Sequence, residues 1–408
     1  MSLSVDKNIR LFKVVDPTID GNTRQAFGVL QGPNLSDFVQ ITANSSNQST
    51  SQFIVRPPSN IYVGRQIFIK MPVTFTFTGT SPVNQGLLQS GFDAPRAFPL
   101  HSIMESLLLK LNNSSVSVVP REIQKAFIWS NTRRNRLLED NWSLTPTMPD
   151  QSQDYSELIG SIRNPLNSYI DSVDGAIPPR GAFRVDGPIV NTGTDATLQY
   201  TFTEALQISP LVWERDHELG FPHIRDITLE IVWSSNKSLM WSHDATSPGT
   251  SLNTPLVTLG SPSILVKFIE PPLTIPIPEI VSLPLFNITN FKNDKNITLG
   301  VFGSGTDITT IISNNIELQS VPSLITVFVK RRDSDDAFTK TSTFLSITNV
   351  SISWDSRSGI LSSASQEQLY DMSRKNGLNM SWSNFSGQSP FLSGSDNLTI
   401  GGGGSVLI

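Results

Sequence analysis

Glu214-Arg215-Asp216-His217-Glu218 crowds five titratable side chains into one short run, and His223, Asp226 and His243 follow it. Histidines and carboxylates are the groups that ligate zinc or exchange protons. Metal chemistry also needs a spacing. His217-Glu218 has no second histidine four residues after the first, so the metalloprotease pattern is absent. The run reads more simply as a polar loop leading into a strand at Ile227. Arg133-Arg134-Asn135-Arg136 has the charge to meet phosphate, but such a run more often ends a solvated helix or contacts a subunit. Lys330-Arg331-Arg332 is cancelled by Asp333, Asp335 and Asp336, which predicts a solvated loop. Gly300, Gly303 and Gly305 lack a following Gly-Lys-Ser/Thr, and no Gly-X-Ser-X-Gly elbow occurs. No residue is therefore assigned to catalysis, to a cofactor or to a metal, and the chain is not read as an enzyme.

The elements that would position these groups are more informative than the groups. At 408 residues the chain is too long for one ordinary core. Only 16% of residues are charged, and Ser, Thr and Asn abound, as in β-proteins with many turns. A net charge of −5 argues against a general nucleic-acid surface. With no cysteine, stability has to come from packing and assembly. No stretch reads as a signal peptide or a membrane span, so synthesis in a cytoplasm without processing is expected.

Residues 1–24 read as an arm or edge strand. Ala26–Leu30, Phe38–Thr42 and Gln52–Val55 are strand candidates, with a polar loop at 44–51. Val73, Phe75 and Phe77 alternate with threonines, which places them on one buried strand face. Leu107, Leu109 and Leu111, a turn at Asn112-Asn113, then Val116 and Val118 spell a hairpin. Pro120 opens a helix expected near 121–131. Residues 140–195 are rich in Pro, Gly, Asn, Asp and Ser. Such a stretch inside a domain predicts a large surface excursion or an interface element. Alternation returns at Leu198/Tyr200/Phe202, Ile227–Trp233 and Ile264/Val266/Phe268. That makes about eight strands from residue 25, the number a jelly roll needs.

Ile269–Pro278 holds four prolines, which no helix or central strand tolerates, so 271–278 reads as a stiff connector. Strands are expected again at Ile280–Ile288, Ile308–Ile312, Ile316–Gln319, Leu324–Lys330 and Phe344–Trp354, the last with a bulge near Thr348-Asn349. A helix follows, with Ser365 and Gln368 as a capping box, Leu369 and Met372 on one face, and Asn376-Gly377 as its stop. Gly401–Ser405 reads as a native glycine loop, and Val406–Ile408 as the start of a strand. This second block runs short of strands. Either another segment completes it, or the natural chain is longer. The expected class is all-β: two consecutive jelly-roll sandwiches, at 25–270 and 279–408, with short helices and a large insertion at about 120–195.

Arg65–Thr78, Pro95-Arg96-Ala97-Phe98-Pro99-Leu100-His101, Asn164-Pro165-Leu166, Pro178–Phe183 and Ser356–Asn384 carry a resemblance. The chain resembles double jelly-roll major capsid proteins of tailless icosahedral viruses, the lineage of adenovirus hexons and tectivirus-type coats. The resemblance implies a virion protein whose homotrimers form pseudo-hexagonal capsomers. Those capsomers would meet neighbouring capsomers, minor capsid or penton proteins and, in part of the lineage, an internal membrane. No basic N-terminal arm is present, so strong direct genome binding is not expected. The competing reading is a carbohydrate-binding or adhesive β-sandwich. It would need grouped aromatics, whereas Trp129, Trp142, Trp213, Trp233, Trp241, Trp354 and Trp382 are scattered.

Overall fold

The computed structural model describes residues 9–13, 27–31, 38–59, 61–81, 86–88, 93–96, 98–122, 194–211, 220–243, 250–269, 287–298, 308–318, 320–340, 344–354, 357–378, 382–386 and 404–408. The expected strand near Ala26–Leu30 is β2 (Phe27–Gln31), and it pairs with β1 (Ile9–Lys13) from the expected arm. The 140–193 excursion, the 271–278 connector, the Asn164 and Pro178 motifs and most of the 121–131 helix lie outside the described residues. Residues 120–122 are helical.

Two sheets face each other across one core. The first runs through β3 (Phe38–Thr42), β6 (Tyr62–Thr80), β10 (Asp195–Ala205) and β16 (Ser263–Ile269), in the order β10-β6-β16-β3. The second takes β4 (Ser45–Ser46), β5 (Thr50–Val55), β8 (Met104–Leu111), β9 (Ser114–Val118) and β12 (Ile227–Trp233), in the order β4-β5-β12-β8-β9. The expected polar loop at 44–51 is thus mostly a tight hairpin, because Ser45 and Ser46 pair with Gln52 and Ser51. Chain ends meet in both sheets. The first strand, β3, pairs with the last, β16, and β5 pairs with β12. First-with-last pairing is the wrapping order of a jelly roll.

β6 is the spine. Its residues alternate inward, so Ile67, Ile69, Met71, Val73, Phe75 and Phe77 are all buried. They face Phe53, Leu107, Leu109, Ile227, Leu229 and Ile231 of the other sheet in one cluster. Pro72 sits inside this paired strand, where a missing N–H would normally break the ladder. It falls where β6 changes partner, from β16 (up to Lys70) to β15 (Leu256–Leu259, from Val73). Gly260 N–H donates to Pro72 O at 2.8 Å across this corner. The short strands β11 (Gly220–Phe221) and β14 (Ser251–Leu252) complete the edges of β6. Gln48 ties the sheets together at one end: its side chain donates to Leu259 O (2.7 Å) and accepts from Leu259 N–H (3.0 Å).

A second cluster gathers Ala364, Leu369, Leu378, Phe385, Val406 and Leu407. It lies among β20 (Asn349–Trp354), β21 (Arg357–Ser365), α2 (Gln366–Lys375), α3 (Trp382–Ser386) and β22 (Val406–Leu407). The capping box is present, with Ser365 N–H donating to Gln368 Oε1 at 3.0 Å. Gly377 takes φ 103°, the left-handed stop that its position after Asn376 predicts. Val406-Leu407 is a strand, paired with β17 (Thr326–Val327).

Several expectations fail in this half. Leu324–Lys330 is two short strands, β17 and β18 (Val329–Lys330), and Phe344–Trp354 is broken into β19 (Phe344–Leu345) and β20. The register irregularities of β20 lie at 350–353, past the expected bulge. Ile308–Ile312 and Ile316–Leu318 form no strand. Alternation supplies a face, but a strand also needs a neighbour for its N–H and C=O groups. Among the described residues no strand pairs with them, and Ile308, Ile312 and Val321 stand 67%, 77% and 82% exposed.

Candidate assembly surfaces

The halves meet at a polar socket built on two short strands. β7 (Asp93–Pro95) pairs with β13 (Trp241–His243), which places Asp93 opposite His243. Asp93 Oδ1 accepts from Trp241 Nε1 at 3.2 Å and lies 2.9 Å from His243 Nδ1. An ionised carboxylate only accepts, so the His243 proton sits on Nδ1. Arg96 follows β7 and is buried. Its Nη2 donates to Ala337 O at 2.9 Å and Lys340 O at 2.7 Å, and Nη1 lies 3.5 Å from Asp336 Oδ1.

Residues 336–340 belong to the hairpin loop between β18 and β19, in the second half of the chain. Phe338 joins the first core cluster, its ring 5.9 Å from that of His243, and its carbonyl accepts His243 N–H at 2.9 Å. Nearby, Glu122 receives Lys330 at 2.7 Å and Lys292 at 3.7 Å. The loop after Lys330 is therefore not the solvated loop that its cancelling charges predict. Arg332 pairs with Asp335 at 2.8 Å, while Lys330 and Asp336 pair with residues of the first half. Charge balance within a segment does not reveal a partner far away in sequence.

A second buried polar group holds α1 (Pro99–Ser102). Glu204 Oε1 accepts Leu100 N–H at 2.8 Å, and Oε2 accepts His101 N–H at 3.1 Å. His101 Nδ1 lies 2.5 Å from Oε2, and both side chains are inaccessible to water. Burial raises the Tyr62 phenol above its usual value.

The sequence-singled residues do not converge. Glu214–Glu218 and Arg133–Arg136 lie outside the described residues. His223 is exposed with φ 57°. Its loop hangs on Asn112, whose side chain accepts Arg225 N–H at 2.8 Å and donates to His223 O at 3.0 Å. This is the polar entry into β12, while His243 is buried with Asp93. Among the described residues no group of three or more His, Asp or Glu is arranged to hold a metal. Nothing in the local sequence marks Asp93, Arg96 or Glu204 for a role, although Arg96 stands in the Pro95–His101 motif. Exposed apolar side chains remain: Phe38 and Val39 on β3, an open sheet edge, and Phe291, Ile308, Ile312 and Ile316 in irregular backbone. Open edges of this kind invite pairing with another chain.

Comparison with known proteins follows the same division of the chain. Residues 8–268 match the family described as the Sputnik virophage major capsid protein 1st domain. The chain belongs to that family. Residues 287–408 match the major capsid protein V20 C-terminal domain. The putative capsid protein V20 of Sputnik virophage is 28% identical over 394 residues, which is 93% of this chain. The chain spans 65% of that relative's length. The cryo-EM structure of the Sputnik virophage superposes with a TM-score of 0.80 at 29% identity, covering 97% of this chain and 80% of the other. The mavirus major capsid protein gives 0.68 at 18% identity, covering 91% and 77%, a likeness of fold. The all-β, double jelly-roll capsid architecture is thereby established for this member of the family. The carbohydrate-binding alternative finds no support: Trp233 and Trp241 are buried in the core.

Proposed function

We propose that this chain is a major capsid subunit that self-associates, as pseudo-hexameric trimers, into an icosahedral shell. Family membership together with the first-with-last strand wrapping carries this reading. Residues 25–270 and 279–408 act as the two jelly-roll units and 271–278 as their connector. Each trimer then offers six upright sandwiches. The exposed apolar side chains are surfaces for subunit contact, and the 140–195 excursion interlocks neighbours. Obligate contacts of this kind bury more than about 2,000 Å². Minor capsid or penton proteins and an internal membrane are the further partners, and strong direct nucleic-acid binding is not part of the role. The protein is made in the host cytoplasm, resides in the virion and is not an enzyme.

Light scattering after size exclusion, with negative-stain microscopy, tests this. A trimer or regular shells are expected, and a stable monomer at high concentration overturns the reading. Deleting 145–175 is expected to abolish capsomers, and normal assembly of that variant would remove the excursion from the interface.

A further inference from the structure

The socket on the first sandwich receives a hairpin loop of the second half through one buried cation. The Arg96 guanidinium reaches into 336–340, where it meets two main-chain carbonyls and one carboxylate. We propose that Arg96 is the positioning residue that fixes the orientation of the second jelly roll on the first, and that capsomer closure depends on it. The assembly part of this inference rests on the function proposed above.

The chemistry requires arginine. A guanidinium presents five donors in a rigid fork, so a single side chain spans carbonyls three residues apart and faces Asp336 as well. A lysine keeps the charge but is a point donor on a flexible stem. Both carbonyls are held by Nη2, whose two N–H bonds are fixed in the guanidinium plane, whereas the N–H bonds of a lysine ammonium rotate freely and do not fix the carbonyls relative to each other. Position is enforced on the remaining sides too. Arg96 N–H donates to Met240 O at 2.8 Å, anchoring the backbone beneath the fork. Phe338 enters the apolar core beside His243, and Asp93 orients the His243 ring through Nδ1. The loop is therefore held by an apolar plug and a polar clamp at once, and displacing either exposes the other. The first-half contacts of Lys330 and Lys292 meet at Glu122, so the hairpin stem is also tethered. Two sandwiches joined only through a connector would be free to vary their angle. A trimer built from six sandwiches needs that angle to be the same in every copy.

The test uses the full chain and Arg96→Lys. Arg331, Arg332 and Lys340 flank or lie in the loop and are trypsin sites. In the parent protein the loop is expected to resist cleavage. In R96K, cleavage at these sites should rise at least tenfold while tryptophan fluorescence of the first core stays unchanged. The trimer fraction in sedimentation velocity should fall at least fivefold. Phe338→Ala attacks the same contact from the loop side and should reproduce both effects, and it decides the question if R96K does not fold. Parent-like protection together with parent-like assembly in R96K, or in F338A where R96K does not fold, overturns the proposal. If the parent itself stays monomeric, the function proposed above fails. The protease comparison then still decides whether Arg96 holds the loop.

Discussion

His101 Nδ1 lies 2.5 Å from Glu204 Oε2, and neither side chain reaches water. The same carboxylate accepts the Leu100 and His101 N–H groups, so one side chain holds both α1 and an imidazole. Removing the carboxylate strands buried N–H donors, at about 1–3 kcal/mol for each group left unsatisfied. Glu204→Ala is expected to lower the unfolding free energy by that amount, read as a lower urea midpoint with an unchanged slope. Glu204→Gln keeps one acceptor and should lose less. A Glu204→Ala protein as stable as the parent would show that the pair contributes nothing.

Gly79 lies where β14 crosses the end of β6. A Cβ there would come 2.1 Å from Ser251 O, a main-chain atom that cannot rotate away. Gly79→Ala therefore forces the strands apart and should destabilise the fold by about 1–3 kcal/mol. Thermal unfolding reads this directly, and an unchanged midpoint would mean that β14 is not seated on β6.

Acid should fray the start of α2. The Glu367 carboxyl is held below its ordinary 4.5 by its own backbone N–H and by the Ser365 hydroxyl, which donates at 2.8 Å. A lowered value means that the stabilisation is present above the unfolded pKa and disappears as pH falls through the folded one. Protection of the amides in the first turn of α2, taken relative to the intrinsic exchange rate at each pH, should fall as pH drops below the ordinary carboxylate value of 4.5. Glu367→Gln should remove that pH dependence.

Ile312 and Val321 stand in solvent, with no core behind them that a charge would disrupt. Ile312→Lys with Val321→Lys should change stability by no more than about 0.5 kcal/mol. Binding of an apolar dye should drop measurably. Undiminished dye binding would place the apolar surface elsewhere.

Much of the fold was legible where a single strand carries its own pattern. Val73, Phe75 and Phe77, or Ile227 to Trp233, announce a buried face because alternation is a property of the strand itself. Asn112 and Gly377 were equally readable, since positive φ selects few residue types. The 308–318 segment misled because alternation is silent about the neighbour that a strand requires. Arg96 with residues 336–340, and Glu204 with α1, were beyond reach for a related reason. Each joins residues distant in the chain, and nothing local distinguishes an arginine that will be buried from one that stays in water.

The wrapping order also sets a timetable for synthesis. β3 waits for its partner β16, so the N-terminal sandwich is complete only once Ile269 has left the ribosome. By then Asp93, Arg96 and His243 have been synthesised, while the segment around Phe338 has yet to be translated. The later half thus emerges after the rest of the socket has been made, and its hairpin supplies the last pieces, Phe338 for the core and the carbonyls for Arg96.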